Sequence, residues 1–183
     1  MSRSVGQALV VRDGRDDDVA VVTRIYAHWV RHGLGTFEYE PPDGSEMAER
    51  RSKLVSNGFP YLVAEDAGAV LGYAYAGPYR ARPGYRFACE DSIYVAPDAA
   101  RRGVGRALLS AVIARCEAMG LRLMVAVIGD SGNAASIGLH AMLGFERAGL
   151  LPAIGWKHGR WVDTVLMVRP LGAGAATPPN DTG

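Results

Sequence analysis

Glu90-Asp91-Ser92-Ile93-Tyr94-Val95-Ala96-Pro97, followed by Arg101-Arg102-Gly103-Val104-Gly105-Arg106-Ala107-Leu108-Leu109, reads as a strand that runs through a glycine-rich turn into a helix. That order builds an anion site, because a helix N-terminus carries free N–H groups and a partial positive charge. Gly103 and Gly105 would let the backbone approach a phosphate with no Cβ in the way, and Arg101, Arg102 and Arg106 would add charge-assisted contacts. Two familiar nucleotide loops are excluded by the letters themselves. A P-loop needs Gly-Lys-Ser/Thr and a dinucleotide fingerprint needs a third glycine, and neither is present.

Around this stretch, 183 residues with 49% hydrophobic content suffice for one well-buried core and are short for two, which predicts one domain. Twenty basic side chains against nineteen acidic ones leave no bulk charge to recruit nucleic acid or an anionic membrane, so neither is expected as a partner. Cys89 and Cys116 fall in an expected strand and helix, and read as two buried free thiols in a reducing compartment. No apolar run reaches membrane-spanning length and the first seven residues lack a signal-peptide core, so a cytoplasmic location is the expectation.

The pattern along the chain predicts a strand at Ala8–Arg12, then a helix through about Val30 with Asp16, Asp17 and Asp18 as N-cap and first-turn acids. A loop with Gly33, Gly35 and Pro41-Pro42 leads to a second helix from Ser45. Strands at Tyr61–Glu65 and Val70–Ala76 flank a hairpin-type Asp66-Ala67-Gly68. The strand at 87–95 precedes a helix whose buried face is Val104, Leu108, Ala111 and Val112. Arg122–Ile128 is nearly continuous apolar sequence, as in a strand covered on both faces. Asn133–Leu143 is expected to be helical with Gly144 as its stop, and Phe145–Leu150 and Val162–Val168 to be closing strands. Residues 1–7 are expected to be flexible, 8–169 to fold, and 170–183, poor in large apolar groups, to be disordered.

Several side chains stand out chemically. Alternation puts Glu90, Ser92 and Tyr94 on one face of their strand and Asp91, Ile93 and Val95 on the other. A glutamate inside a packable strand is costly unless it is paired with an arginine or works as a proton acceptor. His140, near the end of its helix, is either a hydrogen-bonded core residue or a proton-transfer group. His28 and His32 are spaced i,i+4, but His28-Trp29-Val30-Arg31-His32 lacks the His-Glu-x-x-His of zincins, so no metal is expected. Ser131 in Gly129-Asp130-Ser131-Gly132 does not complete a hydrolase elbow, and turn chemistry explains it. The loop Gly77–Arg86 gathers Arg80, Arg82 and Arg86 with Tyr79 and Tyr85 just ahead of Glu90. It is either a solvated basic loop or a carboxylate- and phosphinate-binding segment. Phe37 could wall the same pocket or simply pack its own loop.

From about Val10 to Val168 the chain resembles the phosphinothricin and methionine-derivative N-acetyltransferases of the GNAT superfamily. The likeness is carried by Gly72–Pro78, the Glu90 strand, the Arg101–Ala107 turn, Val125–Ile128, Ser131–His140 and Lys157-His158-Gly159-Arg160-Trp161. The family's asparagine, helix and tyrosine before Gly-Phe appear here with His140 in the tyrosine slot. The resemblance implies a GNAT fold, α/β (α+β), with a mixed, mostly antiparallel twisted sheet flanked by helices and strands splayed at the coenzyme site. It implies acetyl-CoA held by the backbone of Tyr94 and Val95 and by Arg101, Arg102, Gly103, Val104, Gly105, Arg106 and Ala107, with Asn133 on the pantetheine arm. It makes Glu90 and His140 the proton-transfer groups and Phe37, Arg80, Arg82, Tyr85 and Arg86 the acceptor contacts. It also implies a homodimer with acceptor sites near the subunit interface.

Two positions depart from the family pattern. Ala100 stands where Gln or Arg usually opens the coenzyme loop, and the acceptor loop is mixed. Arg82 and Tyr85 are similar to the phosphinothricin enzymes, whereas Arg80 and Arg86 are similar to the methionine sulfone and sulfoximine enzymes. The expected activity is direct acetyl transfer from acetyl-CoA to the α-amine of a small amino acid or analogue. Polyamine, peptide or lysine acceptors are the second enzyme reading, and a non-catalytic acyl-CoA sensor is the reading from another class.

Overall fold

The computed structural model describes residues 9–179. Seven strands form one mixed sheet in the order β1-β2-β3-β4-β5-β7-β6. They are β1 (Val10–Asp13), β2 (Tyr61–Asp66), β3 (Ala69–Pro78), β4 (Ala88–Val95), β5 (Leu123–Gly129), β6 (Glu146–Lys157) and β7 (Arg160–Pro170). Only β4 and β5 pair in parallel. The helices are α1 (Val19–His32), α2 (Gly44–Ser56), α3 (Val104–Ala118) and α4 (Ala134–Met142). This is the expected GNAT architecture.

Apolar spacing explains the layering. Val104, Leu108, Leu109, Val112, Ile113 and Cys116 recur at helical intervals and bury α3 against one sheet face, on Leu62, Ala74, Ala76 and Met124. Val22, Ile25, Tyr26 and Val30 of α1 and Met47 of α2 cover the other face, on Tyr61, Val63 and Tyr73. The β2–β3 hairpin turns on Ala67 and Gly68, both at positive φ (51° and 80°), the geometry of a two-residue primed turn. Cys89 and Cys116 are unpaired thiols, fully buried beside each other. The neighbouring Cys116, with burial, raises the Cys89 pKa, and both thiols are closed off from solvent.

β4 and β5 pair only from Ala88–Asp91 to Leu123–Ala126, and then part. Ala96 N donates to Leu71 O and Tyr79 N to Ala88 O, so the even residues of β4 are spent on β3. By ladder alternation Ile93 and Val95 aim their amides and carbonyls into the opening. On the far side Asp130 N donates to Asp163 O, so the even residues of β5 serve β7 and Val127 and Gly129 face the same opening. The splay expected from the resemblance is present, rimmed by unpaired backbone on both sides.

Three sequence-based expectations need correction, and a fourth needs one exception. The Asp16–Asp18 acids do not cap α1 directly: they form a separate 3-10 turn, and the Asp18 carboxylate accepts from Arg12 (2.7 and 2.9 Å) and from Arg15 N. β5 is covered on both faces as expected, at Met124, Val125, Ala126 and Ile128, except at one position. Val127 is 38% exposed, because its pairing partner has splayed away. The closing strands are longer than expected, since a β-hairpin propagates by backbone pairing that polar and glycine positions do not interrupt. The chain does not leave the fold at 170: Leu171 is fully buried, and Arg122 donates to Thr177 O, Thr177 Oγ1 and Pro178 O. One apolar anchor and a guanidinium hold what composition alone would release. The expected flexible residues 1–7 and residues 180–183 lie outside the described residues.

Candidate active site

The turn between β4 and α3 is curled by two left-handed residues, Arg101 (φ 63°) and Gly103 (φ 80°). Gly103 tolerates that φ without strain, and a Cβ there would meet nothing within 4 Å, so the backbone is open to a ligand. The first bond of the α3 ladder is Ala107 N to Gly103 O at 3.0 Å. The amides of Val104, Gly105 and Arg106 therefore have no helical partner and point out of the helix start. Among the expected coenzyme residues, then, Ala107 has spent its N–H, and Val104 offers only its amide because its side chain is buried. Gly105 also serves packing: a Cβ there would stand 3.1 Å from Leu139 of α4. Arg102 pairs with Asp66, while Arg101 and Arg106 are exposed without an ion-pair partner among the described residues. The positive charge this turn leaves unpaired is thus that of Arg101 and Arg106, beside the free amides.

Val95 O accepts from Trp29 Nε1 at 2.8 Å, which fixes the end of β4 and leaves the Val95 amide facing the opening. Tyr94 offers the opening neither group: its backbone, at an even position, is spent on β3, and its ring is packed on Tyr73 (5.3 Å) and edge-on to Tyr26 (4.9 Å). Asn133 caps α4, its Oδ1 accepting from Ser136 N at 3.1 Å, with Nδ2 3.5 Å from Gly129 O. Its role in capping limits it to one free N–H toward a ligand in the opening.

Glu90 lies on the face shared with Ser92 and Tyr94, the α1–α2 side. Its carboxylate has no hydrogen-bond or ion-pair partner among the described residues. Burial, with the nearby charge of Asp91, raises its pKa, and Arg80 partly opposes this. A carboxylate that is desolvated, unpaired and shifted toward neutrality is suited to take a proton.

His140 points elsewhere. It is 4% exposed, with Nδ1 2.7 Å from Ser136 O and Nε2 3.0 Å from Asp91 Oδ2. Asp91 projects from the opposite face of β4 to Glu90, so the structure does not bring the two expected proton-transfer groups to one face. Both ring nitrogens meet acceptors. Burial alone would lower the histidine pKa, but the hydrogen bond and charge of Asp91 and the Ser136 carbonyl outweigh it and raise it. An acceptor at each ring nitrogen and a raised pKa both favour the protonated ring.

The acceptor loop is only partly convergent. Arg80 stacks over Tyr79 at 5.1 Å and its charge reaches Glu90. Arg86 lies over Phe87 at 4.5 Å and donates weakly to Pro83 O. Arg82 precedes a one-turn 3-10 helix, Pro83–Tyr85, and Tyr85 meets Tyr79 edge-on at 5.8 Å. Of the three arginines, Arg80 is the one the structure brings toward Glu90. On the other side, Glu38 accepts from Tyr26 Oη (3.0 Å) and Arg50 Nη1 (2.7 Å). The charges of Arg50, Glu90 and Glu38 all bear on Tyr75. A cavity of about 240 Å³ lies beside this group, lined by Tyr26, Arg50, Tyr73 and Tyr75 among others.

Sequence reasoning missed Asp91 as the partner of His140, Trp29 as the fastener of Val95, and the Tyr26–Glu38–Arg50 group. The partners are 49, 66 and 12 residues apart. Only the burial of an acid in an apolar strand signalled Asp91.

The model of the acetyltransferase (GNAT) family matches residues 18–145. The chain is 57% identical over 172 residues to a phosphinothricin N-acetyltransferase of Alcaligenes faecalis, covering 94% of this chain and 87% of that one. It is 42% identical over 158 residues to an L-methionine sulfoximine/L-methionine sulfone acetyltransferase of Pseudomonas paraeruginosa, covering 86% and 91%. Among solved structures, it is similar to a GNAT superfamily phosphinothricin acetyltransferase from Sinorhizobium meliloti in complex with AcCoA. There the TM-score is 0.92 at 50% identity, over 95% of this chain and 94% of that one.

Proposed function

The chain belongs to the GNAT family of acetyltransferases, and from that we propose that it acetylates the α-amine of a small amino acid or analogue, of the phosphinothricin, methionine sulfoximine or methionine sulfone type. The observation that carries the reading is Glu90: an unpaired carboxylate with a raised pKa, on the strand that borders the opened sheet. Acetyl-CoA fits the residues present, because the Gly103 turn is open, the α3 amides are free, and the β4 and β5 edges offer unpaired backbone.

When bound, the coenzyme supplies an acetyl group activated as a thioester. Arg101, Arg106 and the amides of Val104, Gly105 and Arg106 hold its phosphates, and Asn133 and the rims of the opening hold the arm. Glu90 accepts the proton from the acceptor's ammonium or amine, directly or through water. The Val95 amide, without a strand partner, is a ready donor to a carbonyl oxygen that gains negative charge. His140, with its ring nitrogens on Ser136 O and Asp91 and its protonated form favoured by that carboxylate, supports the Asp91 face of β4. Arg80 engages the acceptor's carboxylate or polar head.

Leu150, Leu151, Ile154, Trp156 and Trp161 are exposed on β6 and β7, which supports a homodimer formed across that edge. No helix among the described residues is long and apolar enough to cross a membrane, in keeping with a cytoplasmic enzyme that disarms amino-acid analogues. Arg80 beside the site argues against polyamine or lysine acceptors, and the free Glu90 argues against a coenzyme sensor. The test is a thiol-release assay with acetyl-CoA against phosphinothricin, methionine sulfone, methionine sulfoximine, protein amino acids, polyamines and lysine peptides. Preferred turnover of a polyamine or lysine peptide would overturn the acceptor assignment, and no turnover of any amine would overturn the enzyme.

A further inference from the structure

Lys157 is 1% exposed, and among the described residues its ammonium has one hydrogen bond, Nζ to Thr36 O at 2.6 Å. Burial lowers its pKa, and the nearby Glu38 charge only partly restores it. A buried ammonium bonded to a carbonyl rather than to a carboxylate is an expensive way to fill a core, since a methionine of similar shape would cost less. Its partner explains the expense. Thr36 sits in the α1–α2 loop, which crosses the C-terminal end of β5 where the sheet has opened.

That loop is docked at four further points, two of which need glycine underneath. A Cβ on Gly129 would stand 2.2 Å from Leu34 O, and one on Gly155 would stand 2.1 Å from the Phe37 ring. Both positions must be glycine for the loop to lie where it does. Tyr39 Oη donates to Trp156 O at 2.5 Å. The Thr36 hydroxyl shares a hydrogen bond with Tyr26 Oη at 3.0 Å, and the same tyrosine donates to Glu38. The line of force therefore runs from Lys157 on β6, through Thr36, to the Tyr26–Glu38–Arg50 group beside Tyr75 and to Phe37.

We propose that Lys157 is a positioning residue for acceptor selection: through Thr36 O it clamps the 34–39 loop onto β6, setting Phe37 and Glu38 as the acceptor-side wall. This rests on the acetyltransferase reading of the same site and deepens it. The coenzyme turn, on the far side of β4, is not part of the clamp. The Lys157-His158-Gly159-Arg160-Trp161 segment is thereby explained. His158 (φ 50°) and Gly159 (φ 73°) reverse the chain so that Lys157 enters the interior while Arg160 pairs with Asp130 outside.

The test compares Lys157→Met with the unaltered enzyme, using acetyl-CoA and whichever acceptor the panel ranks first. The acceptor KM should rise about ten-fold, the scale of one lost hydrogen bond to a charged group. The acetyl-CoA KM should stay within about two-fold. Thermal stability should hold or increase, because an apolar replacement relieves a buried charge. A residue that merely supports the fold would show the reverse, a lower Tm with unchanged KM values, and that result overturns the proposal. Gly155→Ala displaces Phe37 by steric contact alone and should reproduce the selective loss of acceptor affinity. If Lys157→Met does not fold, that variant decides: an unchanged acceptor KM in Gly155→Ala overturns the clamp. Inactivity of the unaltered enzyme toward every amine would instead refute the acetyltransferase reading.

Discussion

Replacing Glu90 with glutamine removes a proton acceptor while keeping the side chain's shape. Because the Glu90 carboxylate has no hydrogen-bond or ion-pair partner among the described residues, the change strands no other group, and the chemistry can be read without a folding defect. A general base is worth about 10²–10⁴ in rate, or roughly 2.7–5.4 kcal/mol of barrier. The structure also sets the sign on stability. Burial raises the native Glu90 pKa above its unfolded value, so the native state holds this proton more tightly. Stability from this group is greatest below the unfolded pKa of about 4.3 and drains as pH rises through the native one. Glu90→Gln should therefore melt no lower than the parent at pH 7. The assay is thiol release at saturating acetyl-CoA and acceptor from pH 5 to 9, with coenzyme affinity measured by calorimetry. The acceptor amine gives a pH dependence in both proteins, and the parent alone should show a further acid limb from Glu90. Turnover near that of the parent at neutral pH, or an acid limb that survives the substitution, would refute the role.

Gly103→Val forces a β-branched residue to φ 80° and puts carbons beside the free α3 amides, so the acetyl-CoA KM should rise about ten-fold or more while acceptor KM holds; an unchanged coenzyme KM in steady-state kinetics would misplace the phosphates. Arg80→Ala should weaken the acceptor by about 1.5–3 kcal/mol and leave coenzyme binding alone. It should also move the Glu90 acid limb to higher pH, because Arg80 is the group that lowers that pKa. Asp91→Asn removes the buried counter-ion of His140 and should cost on the order of 3–5 kcal/mol, about 10 °C in Tm. The folded His140 pKa is raised, so its share of stability is full below about pH 6.5 and is lost as pH climbs through the native value. The melting gap between parent and Asp91→Asn should accordingly narrow at alkaline pH, and a gap that widens there would contradict an imidazolium.

The β4-turn-α3 stretch was legible because everything it needs is local: alternation, a glycine at a left-handed position and a helix start all lie within about twenty letters. The same locality let alternation assign Glu90 and Asp91 to opposite faces correctly. What it could not reveal is which helix stands over each face. His140 lies near the end of α4, and α4 packs on the Asp91 side of the sheet, with Leu139 against Gly105. Its Nε2 therefore meets Asp91 rather than Glu90. The two residues expected to be the proton-transfer groups thus lie on opposite faces of one strand.

The errors at the ends of the chain have a related cause. Apolar content ended the last strands early and released the tail at 170, yet β6 and β7 continue because strand pairing is a backbone property, and one buried leucine, Leu171, anchors the tail. The 34–39 loop shows the limit most clearly. Gly129 and Gly155 look like ordinary loop and strand glycines in sequence, but each is the space into which a distant loop fits. Lys157 in sequence is an ordinary surface lysine near a turn, and only its 121-residue reach to Thr36 shows that it is interior. A glycine required for close approach carries no local signal at all, since its reason lies in the distant segment that packs on it. The seating of the 34–39 loop is thus written in pairs of positions far apart, whereas the turn into α3 is written in one run. That difference is why the β4-turn-α3 stretch could be read from the sequence and the seating of the 34–39 loop needed the structure.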